Sequence, residues 1–241
     1  MTPALPALCT ERLRLRASNP ALAEVAADYH RRNREAHARW NPPQAASMFT
    51  TQGQHERLAA SAAAITAGTL VGWWLFMHGD PKRALGQIHL SQIARAPFCN
   101  AMLGYSIDAT HEGRGLMREA LDAVLADAFS ARIGLHRVQA NVRPENTRSL
   151  ALLDRLGFER EGSAPGMAGR GHDQQTLESE IAEELADGDG FVMRVEYRTD
   201  REDFLGHAER VQELARGVAV PGPGRGKLRE HQARRPPLPQ K

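Results

Sequence analysis

Residues 102–129 read MLGYSIDATHEGRGLMREALDAVLADAF, in which a strand pattern, a glycine turn and a helix pattern follow one another. Residues 102–108 predict a strand, and from Leu116 to Phe129 the apolar residues recur at helical spacing. Gly113 and Gly115 lie between the two, where glycine permits a tight turn and the start of a helix presents free N–H groups. Such a turn is typical of a site for a pyrophosphate group.

A second strand and helix follow this unit and make the pattern more specific. Residues 136–142 predict a strand, residues 145–156 predict a helix, and Gly157 has the place of a helix-terminating glycine. The glycine turn alone is weak evidence, because an ordinary helix entry has the same residues. It lacks both the Gly-Lys-Ser/Thr ending of a Walker loop and the third glycine of a dinucleotide fingerprint.

The N-terminal half supplies further strands and helices. Residues 11–16 alternate with period two and predict a strand, and residues 70–77 and 85–93 predict two more, joined by a turn. Residues 19–37 and 51–67 predict helices. Strands and helices therefore alternate, which predicts an α/β or α+β domain with at least five strands.

The composition changes near Gly162, and we expect three regions in the chain. Residues 1–166 form the main domain, and residues 167–215 form a divergent extension. Residues 216–241 are rich in proline, glycine and arginine, and we expect them to be disordered because they cannot bury enough apolar surface. This basic tail carries a charge of +6, and since the whole chain carries +2, the rest carries −4.

Composition excludes several classes of protein. The overall charge is too balanced for a DNA-binding protein with a basic face. Cys9 and Cys99 lie far apart and the ten histidines show no metal-ligand spacing, so we expect neither a disulfide framework nor a metal site.

Residues 58–79 are uncharged, but an alanine-rich half ends at Gly68 and an aromatic strand follows, so we expect no membrane span. The N-terminus shows no secretory signal, and we expect a cytoplasmic protein with reduced thiols.

Several short motifs, in matching order and spacing, resemble those of one enzyme family. They are TERLRLR at 10–16, LGYSI at 103–107, HEGRGLMREA at 111–120, RPENTRSL at 143–150 and LGFEREG at 156–162. Together they are similar to the GNAT N-acetyltransferases, and in particular to the Rim-type ribosomal-protein alanine N-acetyltransferases, over about residues 8–163. The resemblance implies an α+β fold with a mixed, mostly antiparallel central sheet flanked by helices, and acetyl-CoA as the cosubstrate.

The resemblance also implies roles for particular residues. Backbone amides of residues 112–117 would hold the pyrophosphate, the edge of strand 105–107 would pair with the pantetheine arm, and Asn146 would bond to that arm. Ser149 would be the catalytic residue that protonates the departing CoA thiolate. The cofactor-binding residues implied in this way are Tyr105, Ser106, Ile107, Glu112, Gly113, Arg114, Gly115, Leu116, Met117 and Asn146.

The second motif also fits ordinary structural roles, and it departs from the family pattern. Asn146 suits a helix cap, and Ser149 suits a first-turn residue bonded to the backbone. Other GNATs have a Glu base five residues before the motif Asn and a Tyr acid seven after it, whereas this chain has Asn141 and Leu153 there. The sequence therefore does not identify a general base.

The two strands that close the sheet in this family are not recognisable after Gly162. Two outcomes are open: the cleanly alternating segment at 191–198 supplies a replacement strand, or the sheet edge is incomplete. An incomplete edge would expose apolar surface and unpaired backbone groups. The segments at 174–186 and 199–215, on either side of this strand, predict helices.

The resemblance implies transfer of an acetyl group from acetyl-CoA to a primary amine. An α-amine, with a pKa of about 7.7–8.0, is already partly neutral at pH 7, whereas lysine titrates near 10.4, so the N-terminal amine of a protein is favoured. A ribosomal protein is one candidate, and the basic tail also suits association with the ribosome. Two alternatives stay open: a small amine such as an aminoglycoside or polyamine as acceptor, or a catalytically impaired remnant that binds CoA or RNA.

Overall fold

One sheet of eight strands organises the part of the chain that the structure describes. The computed structural model describes residues 5–164 and the strand at 192–198. The strands are β1 (Leu8–Cys9), β2 (Leu13–Ala17), β3 (Val71–Met77), β4 (Asp80–Ala94), β5 (Asn100–Ile107), β6 (Arg137–Val142), β7 (Glu159–Ala164) and β8 (Val192–Arg198). The helices are α1 (Ala23–Arg32), α2 (Arg34–Ala38), α3 (Thr51–Thr66), α4 (Leu116–Ala128) and α5 (Thr147–Arg155). The order across the sheet is β1-β2-β3-β4-β5-β6-β8-β7.

The predicted mixed, mostly antiparallel sheet is confirmed. All neighbouring strands run antiparallel except β5 and β6, which are parallel. Parallel neighbours need a long crossover connection, and the glycine turn and α4 form it.

Strands β5 and β6 soon diverge. They pair at three positions, Asn100 with Arg137, Ala101 with Val138 and Met102 with Gln139. Beyond Met102, β5 continues along β4, while β6 pairs along its length with β8. Among the described residues, the edge of β5 at 103–107 that faces β6 therefore has no strand partner. We call the wedge-shaped space between the two strands the cleft.

Both faces of the sheet are covered, which explains the apolar run in β3. Alternate side chains of a strand point to opposite faces. Trp73 belongs to the large apolar cluster that includes α4 and α5, whereas Trp74 belongs to a smaller cluster with α1 and α3. No helix in the described part of the chain has both the length and the apolar character that crossing a membrane requires.

The helix predicted over residues 19–37 is interrupted at Asn33, which separates α1 from α2. Asn33 is buried; its Nδ2 donates to the Tyr29 carbonyl at 2.9 Å, and its Oδ1 accepts from the Ala109 N–H at 3.0 Å. A side-chain amide that bonds the preceding turn competes with the helical backbone. The break thus ties α1 to the segment after β5, a contact that helical periodicity cannot reveal.

Of the two outcomes left open for the end of the sheet, the structure shows the first: the segment at 191–198 supplies a replacement strand, β8. Strand β8 lies between β6 and β7 and is antiparallel to both. The sequence did not predict β7, because its first residues, Glu159, Arg160 and Glu161, are all exposed and give no apolar alternation. The helices predicted at 174–186 and 199–215 and the tail at 216–241 lie outside the described residues, and the boundaries of the three regions stay predictions.

Candidate active site

The glycine turn leads from β5 into α4 and leaves backbone N–H groups open. Gly113 and Gly115 have φ values of 74° and 75°, in the left-handed region that favours glycine. Gly115 is the N-cap of α4, and no side chain of the described residues caps that end. The first-turn N–H groups therefore lack an intrahelical partner and carry positive partial charge. This arrangement fits a pyrophosphate, the group predicted to bind residues 112–117.

A charged contact with the N-terminal segment anchors the turn. Arg12 Nη1 donates to the Arg114 carbonyl at 3.0 Å, and Arg12 Nε donates to Glu119 Oε2 at 2.6 Å. The Thr10 hydroxyl donates to Glu119 Oε1 at 2.5 Å. Burial alone would raise the pKa of Glu119, but the hydrogen bonds from Thr10 and Arg12 outweigh it and lower that pKa. Sequence reasoning assigned no role to Arg12 or Glu119, because no local signal marks this contact.

Residues 105–107 lie on the part of β5 that borders the cleft. An extended amide-containing chain pairs well with such an open strand edge. Tyr105 and Ile107 pack against the large apolar cluster, whereas the Ser106 hydroxyl accepts from Tyr29 Oη at 2.9 Å on the opposite face. His37 Nε2 donates to the Ile107 carbonyl at 2.9 Å, so that carbonyl already has one partner.

Asn146 and Ser149 lie on the other side of the cleft, in the first turn of α5. The helix begins at Thr147 and not at the predicted residue 145, because Asn146 is the N-cap and its Oδ1 accepts the Ser149 N–H at 3.1 Å. The capping role of Asn146 is thus present, and its Nδ2 is not used by the cap. Ser149 Oγ lies 2.5 Å from Tyr105 Oη. The side chain of Ser149 therefore meets β5 across the cleft.

A buried carboxylate fixes the end of β5. Asp108 is 2% exposed and accepts hydrogen bonds from Arg32 of α1 and from Thr110. Burial by itself would raise its pKa, but the bonds from Thr110 and the charge of Arg32 hold the pKa of Asp108 well below its usual range. The same Arg32 donates to the Ala84 carbonyl at 2.9 Å. These contacts join α1, β4 and the end of β5.

The sheet face opposite α4 is polar near the cleft. Gln87 and His89 of β4, Ser106 of β5 and Gln139 of β6 are half-buried there and alternate with residues of the large apolar cluster. We call these four residues the polar floor. A Cβ at Gly104 would lie 2.3 Å from His89 Nε2, so the imidazole lies directly on the β5 backbone. Burial, and secondarily the charge of Arg57, lowers the pKa of His89, which leaves it neutral at pH 7.

Comparison with known sequences agrees with this geometry. A family model described as an acetyltransferase (GNAT) domain matches residues 12–159. The ribosomal protein uS5-alanine N-acetyltransferase of Escherichia coli (strain K12) is 36% identical over 157 residues, which are 65% of this chain and 80% of that protein.

Comparison with solved structures gives the same fold. Ribosomal-protein-S5-alanine acetyltransferase from Vibrio fischeri has a TM-score of 0.71 at 24% identity, over 82% of this chain and 98% of that one. Mycobacterium smegmatis RimJ, solved in complex with CoA-disulfide, has a TM-score of 0.65 at 20% identity, over 85% of this chain and 89% of that one. The family match covers more than half of the chain and coincides with the glycine turn and the diverging strands. The chain therefore belongs to the GNAT family and is an acetyl-CoA-dependent N-acetyltransferase.

Proposed function

We propose that the chain transfers the acetyl group of acetyl-CoA to the N-terminal α-amine of a protein, with a ribosomal protein as the acceptor class. The observation that carries the proposal is the open edge of β5 beside the uncapped N-terminus of α4. The 36% identity to a uS5-alanine N-acetyltransferase supports the choice of acceptor.

The cosubstrate lies along one side of the cleft. Backbone N–H groups of residues 112–117 bind the pyrophosphate, and Arg12 keeps their turn in place through the Arg114 carbonyl. The edge of β5 at Tyr105, Ser106 and Ile107 pairs with the pantetheine amides, and the free Nδ2 of Asn146 donates to the same arm. Acetyl-CoA supplies an acetyl thioester, the bond that the reaction breaks.

The acceptor amine approaches from the polar floor. An α-amine needs only a modest proton acceptor, because its pKa of about 7.7–8.0 leaves part of it neutral at pH 7. None of the four floor residues is acidic, which disfavours a polycation such as an aminoglycoside or polyamine. A backbone N–H of the open β5 edge stabilises the oxyanion that forms on attack. The Ser149 hydroxyl then donates a hydrogen bond to the departing sulfur.

Titration of acetyl-CoA into Gly115→Asp tests the binding site. The substitution places a side chain at a positive φ and a carboxylate beside the pyrophosphate, so we expect affinity to fall more than about 100-fold, with the fold retained. Gly134→Asp is the matched control, because Gly134 has a φ of 72° and open space around it but lies beyond the other end of α4. Unchanged affinity in folded Gly115→Asp contradicts the assignment.

A panel of acceptors tests the substrate class. We expect acetylation of a peptide with a free N-terminal alanine, and none of the same peptide with a blocked N-terminus and an internal lysine. Turnover of aminoglycosides or polyamines in preference to the peptide would replace the proposal with the small-amine alternative. Binding of acetyl-CoA without turnover of any amine would favour the impaired remnant.

A further inference from the structure

Two hydroxyl groups meet across the cleft. Tyr105 comes from β5 and Ser149 from the first turn of α5, and their oxygens lie 2.5 Å apart. Both side chains are only partly buried, so part of the pair remains accessible. The contact lies past Met102, the last residue of β5 that pairs with β6, where the two strands separate.

The direction of this hydrogen bond decides what the pair can do. Each hydroxyl has one hydrogen to donate and two lone pairs to accept with. The geometry admits either oxygen as the donor, but a phenol is a far stronger acid than an alcohol, which favours Tyr105 as the donor and Ser149 Oγ as the acceptor. Ser149 then keeps its own hydrogen for another acceptor. Its backbone is already held by the Asn146 cap, which fixes where Oγ lies.

We propose that Tyr105 is a positioning residue for thioester cleavage: its hydroxyl donates to Ser149 Oγ and thereby directs the Ser149 hydrogen at the departing CoA sulfur. The proposal rests on the proposed function, which gives Ser149 its place beside the thioester. The position where other GNATs have a Tyr acid does not offer one here, because Leu153 stands there and is fully buried among apolar side chains.

Cleavage of the thioester conserves atoms and electrons. The amine nitrogen bonds to the carbonyl carbon, and the bond from that carbon to sulfur breaks with its electron pair going to sulfur. The sulfur accepts the hydrogen bond of Ser149 and leaves as a thiolate, while the nitrogen releases one proton to water. The products are the amide, the thiolate and a proton, and neither hydroxyl is consumed.

Tyr105 stays protonated throughout the range in which an α-amine reacts. Burial raises the pKa of Tyr105 to about 12, although the hydrogen bond with Ser149 lowers it in part. The donor is therefore present at every pH between neutrality and the titration of the acceptor amine.

The opposite face of β5 supplies a matched control. Tyr29 Oη donates to Ser106 Oγ at 2.9 Å, also a tyrosine–serine bond to this region of the fold, but Tyr29 is 0% exposed and cannot reach a ligand. Tyr29→Phe and Tyr105→Phe each remove one phenolic hydroxyl. They differ in whether the lost bond involves Ser149, the residue proposed to act on the sulfur.

The test is the ionisation of the thiol of CoA bound to the full-length chain, followed by thiolate absorbance against pH, with the CoA-free protein subtracted. This measurement needs no acceptor. For wild type we expect a bound-thiol pKa about one unit below that of free CoA, because a hydrogen bond stabilises the thiolate. Ser149→Ala and Tyr105→Phe should each raise it, the double variant should equal Ser149→Ala, and Tyr29→Phe should match wild type.

The outcomes separate the inference from the function on which it rests. A shift in Ser149→Ala with none in Tyr105→Phe overturns the role of Tyr105 and leaves that of Ser149. Effects of the two substitutions that simply add also overturn it, because residues acting in series do not add. No shift in Ser149→Ala removes Ser149 from the proposed function and the inference with it.

Kinetics with a peptide that begins with alanine give a second readout. We expect Tyr105→Phe to lower kcat about tenfold, with the KM for acetyl-CoA changed less than about threefold, because the lost bond acts in the cleavage step. An unchanged kcat, or an equal loss in Tyr29→Phe, contradicts the inference.

Discussion

Strand β5 makes a tyrosine–serine hydrogen bond on each face of the sheet, and the two differ in what surrounds them. On the α1 face, Tyr29 is fully buried, and its ring packs edge-on against Trp74 at a centroid distance of 5.5 Å. On the α4 face, Tyr105 and Ser149 are half-buried and border the cleft. The tyrosine is therefore sealed inside the fold on the covered α1 face and only partly buried at the cleft on the α4 face. Burial, rather than residue type, distinguishes the two pairs.

The largest expected effect comes from removing the buried ring of Tyr29 on the covered α1 face. Tyr29→Ala should lower the free energy of unfolding by about 3–5 kcal/mol, because a fully buried aromatic ring leaves a cavity. Tyr105→Ala should cost less stability, since Tyr105 is only partly buried. Denaturant titration of both variants measures the difference, and equal losses would contradict the contrast between the two faces.

The charge that ties α1 to β5 should come next. Asp108→Asn leaves Arg32 without its buried partner, and we expect a loss of about 3 kcal/mol at pH 7. Because the folded pKa of Asp108 is lowered, its contribution is present above the ordinary Asp pKa of about 4 and is lost as pH falls below that value. Stability measured against pH should therefore be flatter below pH 4 in Asp108→Asn, and parallel curves would refute the ion pair.

A smaller effect, confined to the cleft side, is expected at the anchor of the glycine turn. Arg12→Ala should raise the KM for acetyl-CoA about tenfold with kcat nearly unchanged. The substitution removes the hydrogen bond to the Arg114 carbonyl, which holds the glycine turn, and leaves the reacting atoms unaffected. Arg14→Ala, an exposed arginine two residues away in β2, is the control and should keep the wild-type KM. A lowered kcat with a normal KM would place Arg12 in the chemical step instead.

The smallest expected effect sharpens the comparison most. Tyr29→Phe removes one hydrogen bond on the covered face and should cost about 1 kcal/mol of stability. Its kcat should fall less than that of Tyr105→Phe, because Tyr29 is fully buried and its hydroxyl bonds to Ser106 and not to Ser149. Calorimetric unfolding and steady-state kinetics on the same preparation check both parts.

Much of the fold followed from local pattern. The glycine turn and α4 were predictable because Gly113, Gly115 and the apolar stripe of the helix lie within a few residues of one another. Strand β8 was recognisable from its alternation alone. Strand β7 was not, since its exposed charged residues pair with a partner far along the chain and carry no apolar signal. The break at Asn33 was not predicted either, because it depends on a hydrogen bond to Ala109, which is also far along the chain.

The candidate site divides in the same way. Ser149 and Asn146 were identifiable from a short motif, and the cap of α5 from Asn146 itself. The long-range contacts of the site were not predictable from the motifs. Tyr105 is 44 residues from its partner Ser149, and Arg12 is 107 residues from its partner Glu119. His89 on the polar floor carries no sequence signal, since its environment comes from Gly104 on the neighbouring strand.

The sequence by itself determined the order of most strands and helices, the glycine turn and the family, because periodicity, glycine and short motifs act within a few residues. Only the tertiary structure decided that β5 and β6 separate after three pairs, that β8 enters between β6 and β7, and that Tyr105 meets Ser149. Those features depend on which distant segments pack together, and packing is a property of the whole chain.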